Sequence, residues 1–574
     1  METAVMGKFS NTLQGFDERI RKAKEELNEL EYQRNLLVPI CHLPAEILGN
    51  IFTFCVPTGT ISTPQLPNVV HVCRLWRTIA FNTPLMWSTP NFISPKLARE
   101  MLRLSKSSPL NIEWNRDSGA LLPKQLEVLG EAITEISRVQ SLHLSCNPHQ
   151  VEVLLTGLVD PAPMLEALTL QCPISGDFFF LPGNFLAGDA PRLRRLSLTA
   201  SNNIPWGSQI MKNLTRLDIV YRNGQSRPLT PWPEIIETLR GAPCLEVLRL
   251  DFLSSRNACL EVGPPIILPN LGCVDLAADA VSCSTLLHRM SFPNTTSICL
   301  ECRLPASYTD STYDPLFAYM TGLFGSTSST VNHPRAIKSL LLSYSPDHIN
   351  VLSIGAWNVG GVMEYVLGES NISLTNQFSG TLVLKNVMGL PFLQKVLASL
   401  GPLSQLETLT IDLSTLPVDI MIQRFGSLTN LSSIFVKGAC APEVVKSLSH
   451  DLSETSLSTI DASPRHGTTI LPRKPFAALR TFGLVHVDFT WDREALLNPL
   501  LDMLRRRAQN ELPLEKVVLE LCTHIFLDDV AQIRKEVHVE WDDRELYGED
   551  SEDEYSEETT DDYPYDSDYD YDDY

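Results

Sequence analysis

The sequence predicts a mixed α/β protein in four stretches: a leading helix, a small helical module, a long irregular α/β solenoid and a disordered acidic tail. Three observations predict it. Apolar residues recur at spacings of three and four through the first forty positions. A leucine phrase of strand-like alternation then returns eleven times between residues 139 and 521. Beyond Arg544 the chain contains neither Lys nor Arg. With 574 residues, 44% of them hydrophobic, it is long enough for a large core and more than one domain.

The leading helix is expected over 11–38. Leu13, Phe16, Ile20, Ala23, Leu27, Leu30 and Leu37 follow a three-four spacing that only Arg34 interrupts. The other faces carry charges of opposite sign, often four apart, which support a helix. A short coiled coil through 11–37, forming a homodimer or taking a partner helix, and a lone helix packed on the next module are the two readings of this stretch.

The helical module spans 39–92. Pro44 suits a first helical turn, where its missing N–H costs nothing, and Glu46 complements the helix dipole there. Ile47, Leu48, Ile51, Phe52 and Cys55 follow as one broad apolar face. A second amphipathic run places Val69, Val72, Cys73, Trp76, Ile79 and Ala80 on one side. Pro84 ends it and Trp87 closes the unit. About fifty residues cannot bury so many large apolar groups internally, so part of this surface should want a partner.

Leu43-Pro44 before an acidic residue and an apolar helix, then Val-Cys-Arg-Leu-Trp-Arg at 72–77 and Pro-Leu-Met-Trp at 84–87, resembles an F-box. The resemblance implies docking onto a Skp-type adaptor of a cullin–RING ubiquitin ligase. By position it assigns Leu43, Pro44, Glu46, Ile47, Ile51 and Phe52 to the adaptor face. Leu48, Val72, Leu75, Trp76 and Trp87 are assigned to the module's own core. The segment from Val56 to Asn68, with Pro57, Pro64 and Pro67, departs from the shorter, leucine-richer turn of many F-boxes. The heptad helix ahead of the module is similar to those on many F-box proteins of mushroom-forming fungi.

Residues 93–138 read as a linker and the first helices of the solenoid, and 139–541 as the solenoid itself. The phrase L-x-x-L-x-L appears as LEALTL at Leu165–Leu170, LRRLSL at Leu193–Leu198, LEVLRL at Leu245–Leu250 and LETLTI at Leu406–Ile411, among others. The spacing of the early copies falls in the range of leucine-rich repeats. Each phrase points its leucines into one core, and one repeat cannot bury them alone, whereas a stack can. The Asn that usually follows the strand is mostly missing, so an irregular leucine-rich-repeat solenoid is expected. The gaps at Tyr308–Pro334 and His450–Phe476 read as projecting loops. His143, Thr169, Ser197, Asp218, Arg249, Asp275, Cys299, Thr410 and Val518 are expected on the solvent-facing side of the strands, mixed in charge and selecting no ligand class.

The tail, 542–574, alternates Asp and Glu with Tyr and cannot bury enough to offset ordering entropy, so disorder is expected. It contributes much of the net charge of −22 and argues against nucleic acid as a ligand. No apolar run reaches the length of a membrane helix, and the first residues lack a signal-peptide core. Thirteen scattered cysteines, an odd count without a framework, point to reduced thiols in the cytoplasm or nucleus. Cys299 and Cys302 form one CxxC, read as two thiols on a strand rather than a zinc site, and no metal or cofactor is expected. No phosphate-binding glycine loop, nucleophile elbow or H-E-x-x-H occurs. The expected function is the substrate-recognition subunit of an SCF-type ubiquitin ligase, not itself an enzyme, with the solenoid holding an unknown protein target. The alternative is a non-ligase scaffold that uses the leucine-rich surface and the heptad helix for assembly.

Overall fold

The computed structural model describes residues 2–56, 67–115, 121–172, 178–220, 232–251, 263–302, 313–324, 336–345, 351–357, 379–385, 390–401, 403–450, 474–489 and 496–546. The acidic tail from 547 and most of the proline-bearing segment after Val56 lie outside them. The architecture is mixed α/β and divides into two units: residues 1–335 with 373–401, and residues 336–372 with 402–574.

The first unit opens with helix α1 (Glu2–Leu36), which begins earlier than the spacing of its apolar residues suggests. Helices α2 (Ala45–Phe54), α3 (Arg74–Phe81) and α4 (Pro95–Ser105) follow. Local chemistry sets their starts. Pro44, in extended conformation, leads into α2, and Glu46 stands in the first turn. The Cys73 side chain accepts from the Trp76 N–H to start α3, and Ser94 accepts from the Leu97 N–H to start α4.

A parallel sheet then accumulates strand by strand. Leu110–Asn115, Val139–Ser145, Ala167–Gln171, Arg195–Thr199, Arg216–Val220, Val247–Asp251, Cys273–Ala278 and Ser297–Cys302 pair each with the next, and Ser379–Lys385 pairs with the last. The strand order follows the chain without the reversal that a doubly wound sheet requires. The sheet starts at Leu110, ahead of the start at 139 that the leucine phrase marks. Leu110, Ile112 and Trp114 alternate inward there without the phrase.

Register explains the phrase. Leu142, Leu168, Leu196, Leu217, Leu248, Val274 and Ile298 form one continuous row across the sheet. Leu144, Leu170, Leu198, Ile219, Leu250, Leu276 and Leu300 form a second. Both rows are buried, as are the leading leucines Leu165, Leu193, Leu214, Leu245 and Leu271, which turn the chain into each strand. The expected loop after Tyr308 contains a helix, Asp314–Phe324. Tyr313, Leu316, Phe317 and Met320 are buried at helical spacing, a period that the surrounding Ser, Thr and Gly obscure.

The second unit opens on an antiparallel pair, Ser339–Ser345 with Val351–Trp357. From the first of these the order continues in parallel through Thr408–Asp412, Ser433–Lys437, Thr481–Val485, Lys516–Glu520 and His538–Trp541. Leu409, Ile434, Phe482 and Val517 repeat the buried row. On the other face Phe435 lies opposite Gly483, where an added Cβ would run into the ring's Cδ1. The ring needs that glycine's missing side chain.

Candidate functional site

The N-terminal module is held by a compact aromatic core. Leu48, Phe52, Val69, Val70, Ile79, Ala80, Met86 and Trp87 are buried together with Met101 and Leu104 of α4. Phe52 meets Trp76 at 4.9 Å between ring centroids, and Phe81 stacks on Trp87 at 5.4 Å. The buried Trp87 indole donates to the Ala80 carbonyl at 2.9 Å, and Arg77 Nε donates to the Val70 carbonyl at 2.8 Å. Gly49 is buried where α2 meets the α3 terminus: a Cβ would lie 2.8 Å from Thr83 Oγ1.

The core assignments divide accordingly. Leu48 and Trp87 are fully buried, and Leu75 and Trp76 are half-buried against the cluster. Val72 corrects the expectation: it is 57% exposed. The second run is not one helix. A short 3-10 turn at Asn68–His71 precedes α3, and the break between them rotates Val72 outward while Val69 and Val70 face in.

The adaptor-face assignments divide too. Leu43, Pro44, Glu46, Ile47 and Ile51 are exposed. Phe52 is not: at 1% exposure it belongs to the core and is unavailable to a partner. It lies four residues from Leu48, on the inner face of α2. The outer face carries Ile47, Ile51 and Phe54, spaced i, i+4 and i+7, with Leu43 and Ile40 exposed just ahead of the helix. Phe54, 89% exposed, is the residue that sequence reasoning missed. Its i+7 spacing from Ile47 was the available signal. A helix apolar on both faces, with one face left in solvent, is built to be covered.

The open face of the first unit's sheet is the other candidate surface. Glu113, His143, Thr169, Ser197, Asp218, Arg249, Asp275 and Cys299 stand in register across it. Arg249 Nε meets Asp275 Oδ2 at 3.0 Å, and Arg216 Nε donates to Asp218 Oδ2 at 2.7 Å. This face is drier than expected, since Asp218 is buried; in the second unit, described by itself, Thr410 is buried too. Burial holds His143 below its ordinary pKa, with Glu113 opposing, and pushes Asp275 up against the pull of Arg249.

The CxxC pair does not converge. Cys302 is buried on the inner side, hydrogen-bonded to Cys283, whereas Cys299 lies on the open face beside Asp275. Burial pushes the Cys299 thiol up to about 12, and the hydrogen bond with Cys283, followed by burial, raises Cys302 well above its ordinary value, so neither is a thiolate at neutral pH. Among the described residues no three potential metal ligands cluster, and no helix is long and apolar enough to cross a membrane.

Residues 40–93 match the family model described as F-box-like. No curated protein matches the chain. The matched stretch holds α2, α3, their shared core and the exposed apolar face of α2; the chain carries an F-box-like domain at residues 40–93.

Proposed function

We propose that this protein is the substrate-recruiting subunit of an SCF-type cullin–RING ubiquitin ligase. The F-box-like domain takes a Skp-type adaptor on the outer face of α2, through Leu43, Pro44, Glu46, Ile47 and Ile51, with Phe54 added. The observation that carries this reading is the solvent-facing Ile47, Ile51 and Phe54 stripe inside the matched family stretch. The strand stack, read as an irregular leucine-rich-repeat solenoid, presents its open face to a protein target, and ubiquitin transfer is done by other subunits. The sequential parallel strand order and the two leucine rows support the solenoid reading. The chemistry of its thiols fits the reducing cytoplasm or nucleus.

The test is co-purification of the intact chain with a Skp-type adaptor, compared with Ile47→Glu/Ile51→Glu. Both side chains already face solvent, so the variant should keep the native circular dichroism spectrum while losing adaptor. A folded wild-type chain that fails to bind adaptor would overturn the ligase reading in favour of the non-ligase scaffold.

A further inference from the structure

We infer that α1 pairs with α1 of a second copy of this chain, antiparallel, about a centre between Arg21 and Lys22. The seam is Phe16, Ile20, Ala23, Leu27 and Leu30, alternating at four and three; its four large members are each between 52% and 58% exposed. The described residues of the F-box-like domain leave it uncovered. Arg74 of α3 reaches Glu29 at 3.2 Å and lies over the Tyr32 ring at 5.2 Å. Glu29 and Tyr32 stand on the side of α1 opposite the seam. The outer positions are satisfied within the helix, where Arg21 bridges Glu18 and Glu25 at 2.6 Å each and Lys22 approaches Glu18 at 3.5 Å. The charges that border the seam are not so used. Asp17, Lys24 and Glu26 make no ion pair among the described residues.

Those bordering charges choose both the occupant and its direction. In a parallel, in-register pair, Arg19 would face Lys24 of the second copy, Glu26 would face Glu31, and Arg34 would meet its own equivalent across the seam. All three encounters are between like charges. Reversing one helix removes them. With Ile20 opposite Ala23 and Phe16 opposite Leu27 of the second copy, Arg19 falls beside Glu26 and Asp17 beside Lys24, each pair occurring twice by symmetry. One helix sequence thus complements itself in the antiparallel direction and repels itself in the parallel one.

The test is sedimentation equilibrium of the full chain over micromolar concentrations at low salt, where exposed charge pairs count most. Wild type is expected to form a reversible dimer. Lys24→Glu turns two attractive pairs into two repulsive ones and should weaken dimerisation about tenfold. Asp17→Lys/Lys24→Glu should restore it, and Glu26→Arg should weaken it as Lys24→Glu does. In a parallel pair Lys24→Glu and Glu26→Arg would both strengthen association, because each would then face an opposite charge. Tightening by either variant, indifference to both, or a wild-type chain that stays monomeric throughout overturns the inference. The substitutions lie on solvated positions, and an unchanged far-ultraviolet dichroism spectrum confirms that each variant compared is folded.

Discussion

His143 shows how a single side chain can tie this fold to pH. It sits in the open-face row between Glu113 and Thr169, half-buried, and its Nε2 is buried with no hydrogen-bond partner among the described residues. Burial depresses its pKa below the ordinary 6.5. The unfolded chain therefore takes up the proton first as pH falls, and stability is lost as pH drops through about 6.5 and below. Urea unfolding of wild type should weaken from neutral to mildly acidic pH. His143→Gln should flatten that dependence by up to about one proton. An equally steep slope in the variant would assign the effect to another group. The glycine at 483 shows a different dependence on one residue: its missing side chain is the space that Phe435 fills.

At the scale of the element, α2 divides its apolar residues between two jobs. Phe52→Ala should cost about 3–5 kcal/mol, because it empties a packed aromatic site against Trp76. Val72→Ala, at an exposed position, should stay within about 0.5 kcal/mol. Chemical denaturation of the two variants separates them, and a costly Val72→Ala would contradict the outward rotation after the 3-10 turn. Much of the module is legible in sequence. The Leu-Pro entry, the acidic first turn and the tryptophans follow from residue type and spacing, and the F-box-like domain from the resemblance those residues carry. What cannot be read is which of two apolar faces on α2 goes inside. Leu48 with Phe52 and Ile47 with Ile51 are equally hydrophobic pairs four residues apart, and only the partners packed against them break the tie. The same holds for the strand at Leu110, which alternates like the others without their phrase, and for the helix at Asp314, hidden by its polar surroundings.

At the scale of the whole molecule, sequence order and unit membership part company. The first unit is discontinuous: the strand Ser379–Lys385 and the helix Leu390–Ser399 return to it after residues 336–372 have joined the second. Ser297–Cys302 hydrogen-bonds to that returning strand. A chain cut after residue 335 would leave the edge of Ser297–Cys302 without its partner, an invitation to pair with other chains. Such a fragment should self-associate far more than the full-length protein when followed by light scattering. A fragment as monodisperse as the intact chain would show that the edge is protected without the returning strand.

The buried thiols give both units a chemical reporter of their own. Cys146 and Cys172 in the first unit are held at about 12, and Cys440 and Cys522 in the second at about 11, all by burial. A maleimide or disulfide reagent can reach them only when the backbone around them opens, while the exposed Cys55 reacts at once. Mass spectrometry of the native protein during slow labelling would therefore time the opening of each unit separately, with no label introduced by mutation.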